Sequence, residues 1–104
     1  MKNETELMER AFVRLIVDRV QRQGMNFSEF AVQVWPDIPK KTAVGKFRQL
    51  REPSTITGKY QNLSLSAAAQ MAKVLGLELS YLLVVAQEEA RKQIEAEQTV
   101  SGLD

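Results

Sequence analysis

Gly24, Pro36, Pro39, Pro53 and Gly76 cut this chain into segments, and within each segment apolar residues recur at three- and four-residue spacing. That spacing is the period of a helix burying one face, and glycine and proline are the residues that end helices. A chain so divided folds as a set of short helices. The first has Asn3 as a cap with Glu6 three residues on, carries Leu7, Met8, Ala11, Phe12, Leu15, Ile16 and Val20 on one face, and stops at Gly24. The second starts at Asn26, with Glu29 at the capping-box position and Met25 and Phe30 spaced for a hydrophobic staple, and closes near Trp35. A turn bracketed by Pro36 and Pro39 leads into a third helix over residues 40–51, which buries Ala43, Phe47 and Leu50 with Val44 beside them and is stopped by Pro53. Residues 53–63, rich in turn formers, read as a loop. Ser64 caps a fourth helix through Leu75 with Gly76 as its left-handed terminator. A fifth runs on from Leu79, its exposed side carrying the one-turn pairs Glu88 to Lys92 and Arg91 to Glu95.

A chain of 104 residues, 44% of them hydrophobic, holds one compact domain with one core. The reading is a single all-α domain of five helices over residues 1–98, with a frayed tail over 99–104. Without cysteine there is no disulfide framework, thiolate nucleophile or cysteine metal site. The longest apolar run, Leu79 to Ala86, is broken by Ser80 and Tyr81 and falls far short of the roughly 20 residues a membrane span needs. The start of the chain carries Glu4, Glu6, Glu9 and Arg10 where a signal peptide has a basic start and an apolar stretch. The expected location is therefore the cytoplasm, with no membrane partner.

The net charge of +1 conceals a strong sorting along the chain. Between Lys40 and Lys59 six cations face the single anion Glu52, whereas from Glu78 to Asp104 six anions face only Arg91 and Lys92. Two readings fit: a polyanion-binding surface on one side of the molecule, or ordinary solvated helix faces.

The order of short helix, tight turn and basic helix resembles the Cro and lambda-repressor-like (XRE-type) helix-turn-helix family. The carrying residues are M-N-F-S-E-F-A-V-Q-V-W from Met25, P-K-K-T-A-V-G-K-F-R-Q-L from Pro39, and L-S-L-S-A-A-A-Q-M-A-K-V-L-G-L-E-L-S-Y-L-L from Leu63 to Leu83. In the last segment Met71 and Ala72 take the paired core positions, with Leu75, Gly76 and Leu77 at the turn. The resemblance covers about residues 15–83. It implies a five-helix lambda-repressor-like bundle with a helix-turn-helix over about 26–51, sequence-specific duplex DNA as partner, and transcriptional regulation of the prokaryotic or phage type. The chain departs from the pattern at Phe27, where the family places a phosphate-contacting glutamine, and at Trp35, where it places a small turn residue. The W-P-D-I-P turn and the 53–63 loop are longer than usual, and the C-terminal helix extension over about 84–98 lies outside the pattern.

The third helix has the chemistry such a role requires, because a major-groove helix needs outward donors for base edges. Lys40, Lys41, Thr42, Lys46 and Gln49 are the candidates for bases. Arg48, Arg51, Lys59 and Tyr60 are the candidates for the phosphate backbone, which positions a protein without specifying sequence. Tyr60 is equally placed to rest against the bundle, and Trp35 reads as a core or capping residue before a base-stacking platform. Gly45, inside the third helix, costs about 1 kcal/mol relative to alanine. Close approach of a DNA backbone or of a neighbouring helix would offset it, and packing is the preferred reading.

An enzyme is a poor competitor, since the chain has neither histidine nor cysteine and neither a Walker pattern nor G-x-G-x-x-G. No cofactor and no small-molecule effector is expected. The alternative function is a helical protein-interaction module, an adaptor or antirepressor-like factor, on the same fold. A homodimer is expected because two half-sites raise discrimination. Val85, Ala86, Ala90 and Ile94 recur on the fifth helix as its interface, or else pack back on the first helix.

Overall fold

The computed structural model of the chain describes residues 3–102, with side chains through Glu97. The described residues form five helices and no strand: α1 (Glu4–Arg22), α2 (Phe27–Val34), α3 (Lys40–Arg51), α4 (Leu65–Leu75) and α5 (Leu79–Gly102). Three of the starts are fixed by local chemistry. Asn3 accepts the Glu6 amide at 2.8 Å, Asn26 accepts that of Glu29 at 2.7 Å and Ser64 that of Ala67 at 3.0 Å, each bond satisfying one donor the helix itself leaves free. The α1 and α4 ends are built alike. Gly24 and Gly76 take positive φ, and the next residue reaches back, Met25 N to Val20 O at 3.1 Å and Leu77 N to Ala72 O at 2.9 Å. Gln23 Nε2 then donates to Leu75 O at 3.0 Å and ties the two helix ends together.

The core is the union of the five apolar stripes. Phe12, Ile16 and Val20 of α1, Phe30 of α2, Phe47 of α3, Met71 of α4 and Leu82 of α5 are its largest fully buried side chains. Phe30 and Phe47 lie at 5.1 Å between ring centroids and join α2 to α3. The expected α3 face of Ala43, Phe47 and Leu50 is buried, with Val44 half-buried beside it. Truncating Phe47 to alanine would cost about 3 to 5 kcal/mol.

The most extensive helix pair is α1 with α5. Of the expected dimer contacts, Ala86 and Ala90 are fully buried within the chain and Val85 and Ile94 are half-buried. An interface through Ala86 and Ala90 is therefore corrected to an internal seam: their methyls already occupy the α1–α5 contact. The salt pairing differs too. Arg91 pairs with Glu4 at 3.4 Å in place of Glu95, because α1 brings a carboxylate across the seam, and Lys92 pairs with Glu89 at 3.9 Å within α5 in place of Glu88.

Since Arg91 meets Glu4 at the first residue of α1, the last turns of α5 project past the bundle. The radius of gyration of 15.0 Å, against about 13 Å for a globular chain of this length, reflects that projection. Helix α5 continues through residues 99–102 of the expected tail, and residues 103–104 lie outside the described residues. No single helix is long and apolar enough to cross a membrane.

Candidate nucleic-acid interface

Helix α3 starts without a side-chain cap. Pro39 takes the cap position and offers no acceptor, no carboxylate lies in the first turn, and Lys40 and Lys41 are placed there instead. Cations at the positive end of a helix are disfavoured by about 0.3 to 1 kcal/mol each. The start of α3 is thus a cationic spot whose lysines make no ion pair among the described residues.

From that start the outward face runs along the helix. Lys40, Lys41, Thr42, Lys46, Arg48 and Gln49 are all exposed. The ion pairs among the described side chains belong to α1 and α5, and none involves an α3 cation. Lys46 leans aside, its Nζ 5.9 Å from the centre of the Trp35 ring. Trp35 itself caps α2 and packs half-buried on the core.

Gly45 stands at the middle of this face, one turn from Lys41, Thr42, Arg48 and Gln49. A Cβ built on Gly45 would meet nothing within 4 Å. The expectation that a neighbouring helix packs there is overturned: space is open above the glycine. It forms the floor of a shallow depression of about 470 Å³ whose other lining residues are Lys40, Lys41, Val44 and Arg48.

The loop that follows is ordered by its own bonds. Ser54 N donates to Lys59 O and Gly58 N to Ser54 O, both at 2.8 Å, while Ser54 Oγ accepts from the amides of Ile56 and Thr57. Two further bonds fasten the loop and α1 to the end of α3: Gln61 N donates to Gln49 O at 3.2 Å, and Arg10 Nη1 donates to Leu50 O at 2.6 Å. With Glu52 N on Arg48 O, three successive carbonyls at the α3 terminus are satisfied. The Arg10 guanidinium also lies 4.0 Å from the centre of the Tyr60 ring, and burial draws its pKa below the usual arginine value.

This arrangement brings Lys59 and Tyr60 to Arg48 and Gln49, around a polar groove of about 680 Å³ that Thr55 and Thr57 also line. Arg51 is not in that groove. Its guanidinium lies over Phe27 at 4.2 Å and Phe47 at 4.9 Å, half-buried, and desolvation lowers its pKa. The site therefore divides into an outer α3 face, a groove between α3 and the loop, and an aromatic-backed arginine at the α2–α3 junction.

Sequence reasoning did not single out Arg10 or the Phe27–Arg51 contact. The available signal for Arg10 was its position beside Leu7 and Ala11, at the edge of the α1 apolar stripe, where a long polar side chain reaches across to a neighbouring element. No group of three or more His, Cys, Asp or Glu side chains that could hold a metal ion occurs among the described residues. No protein-family model, no curated protein and no solved structure matches this chain.

Proposed function

We propose that the chain is a helix-turn-helix protein of the Cro and lambda-repressor-like kind, in which α2 and α3 form the motif and α3 enters the major groove of duplex DNA. The single observation that carries this reading is the outer face of α3, a run of exposed donors and cations with no acidic partner among the described residues. An α-helix with its side chains is about 10 to 12 Å across and the major groove about 12 Å wide, so a helix with a glycine at the centre of its outer face sits deeper than one with a bulky residue there. Lys41, Thr42 and Gln49 offer donors to base edges, with Lys40 at the entry and Lys46 on the flank. Arg48, Lys59 and Tyr60 are grouped around one groove, an arrangement that suits a phosphate strand running beside the helix. The function that follows is transcriptional regulation in the cytoplasm by a protein acting as a homodimer on two half-sites. A second copy approaching α5 would meet Tyr81 and Val84, both half-exposed, in place of the buried alanines.

A protein-interaction module on the same fold is favoured by a different observation, the exposure of Leu65, Tyr81 and Val84. Binding to a random-sequence duplex at graded salt separates the two readings. For the DNA-binding reading, log affinity falls linearly with log salt as several counterions are released. Undetectable binding at low salt, or an affinity unchanged on raising salt, refutes it in favour of the interaction module.

A further inference from the structure

Arg51 is held in a way that neither an ordinary surface arginine nor a buried salt bridge is held. Its guanidinium lies over the Phe27 ring at 4.2 Å and the Phe47 ring at 4.9 Å. The two rings meet edge to face at 5.5 Å and form a corner. Phe47 is fully buried and braced by Phe30, so one wall of the corner belongs to the core. Arg51 Nε is buried with no hydrogen-bond partner, and among the described residues Arg51 has no ion pair. Among the described residues its two terminal nitrogens make no hydrogen bond, and neither is fully buried as Nε is. Desolvation lowers its pKa and Arg48 adds to the effect, with Glu52 opposing it.

For stability alone this is a poor use of an arginine. The cation–π contacts offset part of the cost of drawing the cation out of water, but the orphaned Nε is compensated by no hydrogen bond. What the corner does supply is orientation. A guanidinium held against aromatic rings loses freedom to swing away, and an arginine so held can still receive two oxygens of one phosphate in parallel bonds. We propose that Phe27 and Phe47 are a cradle that pre-sets Arg51 for a single phosphodiester at the junction of the α2 start and the α3 end, making Phe27 a positioning residue for DNA binding. The inference rests on the DNA-binding reading above. The ligand chemistry is a phosphate oxyanion, and the source is the duplex backbone.

The test follows the Arg51 Nε–H resonance by nitrogen-15 NMR, alongside affinity for a random-sequence duplex at graded salt. Four proteins are compared: the full chain, Phe27→Leu, Phe27→Trp and Arg51→Met, with melting temperatures confirming that each is folded. In the full chain the resonance shifts on adding duplex. Arg51→Met melts no lower than the full chain, yet lowers the salt slope by about one and weakens binding by roughly tenfold, the size of one charge-assisted bond. Phe27→Leu keeps the charge and reproduces most of that loss, and Phe27→Trp, which restores an aromatic face, recovers it. Should the duplex bind the full chain while Phe27→Leu and Arg51→Met match it in affinity and slope, the corner is packing only and the proposal is overturned. Should no duplex bind at low salt, the DNA-binding reading fails. Inorganic phosphate then decides the cradle by itself, a shift of the Nε–H resonance upholding an anion site and an unmoved resonance overturning it.

Discussion

Gly45→Ala should make the protein more stable and a weaker binder of its DNA site at the same time. The backbone at Gly45 is helical, its φ is not positive, and an added Cβ would meet nothing within 4 Å, so the substitution is free of strain. Replacing glycine by alanine inside a helix gains about 1 kcal/mol, through the smaller conformational entropy of the unfolded chain and the intrinsic preference of alanine. With an unfolding entropy near 2.1 cal/mol/K per residue, the 104 residues give about 0.2 kcal/mol per degree, so the melting temperature should rise by about 4 to 5 °C. The new methyl would stand between Lys41 and Gln49 at the centre of the outer face of α3. If a duplex is seated on that face, a methyl forced into a close-fitted surface costs about 1 to 3 kcal/mol, a loss in affinity of about 5- to 150-fold. Calorimetric melting and fluorescence anisotropy on a selected duplex measure the two effects separately. A lower melting temperature would mean that the space above Gly45 is filled and the packing argument is wrong. A raised melting temperature with unchanged affinity would place the bound surface away from the middle of α3.

Two further outcomes follow from the same geometry. Lys41→Ala and Lys46→Ala should each cost about 1 to 3 kcal/mol on the preferred duplex and much less on random DNA; equal losses on both, measured by competition binding, would assign these lysines to phosphates. Truncation after Leu83 should destabilise the fold of each chain, because it removes the buried Ala86 and Ala90 from the seam with α1; a truncated chain with an unchanged denaturation midpoint would refute that packing.

The helix boundaries were legible because helix starts and stops are local. Asn3, Asn26, Ser64, Gly24 and Gly76 each act within a few residues of themselves, and the structure finds each in the expected role. The buried face of α3 was legible for the same reason, since helical periodicity alone puts Ala43, Phe47 and Leu50 together. Contacts set by tertiary placement were not. Arg10 and Leu50 are 40 residues apart in sequence, and nothing in either neighbourhood names the other. Arg51 presents in sequence as one more cation of a basic helix, and only the placement of Phe27 beside Phe47 turns it from the open groove toward an aromatic corner. The Val85–Ile94 stripe suited an external partner and an internal one equally, and only the lie of α1 against α5 shows that Ala86 and Ala90 are buried within the chain.

The Arg10 side chain has a consequence for how the molecule opens. One guanidinium bonds the last turn of α3 through Leu50 O and rests against Tyr60 of the loop, while its backbone belongs to α1. Residues 52–64 have no regular helix or strand, and a segment of that kind ordinarily exchanges its amide hydrogens by frequent local fluctuation. Here the Gln61 amide is bonded to Gln49 O, beside the carbonyl that Arg10 holds. Releasing the loop therefore breaks bonds that also finish α3, and releasing the end of α3 unseats the loop. The segment and the last turn of α3 are coupled into one cooperative unit, whose protection is set by a residue on a third element.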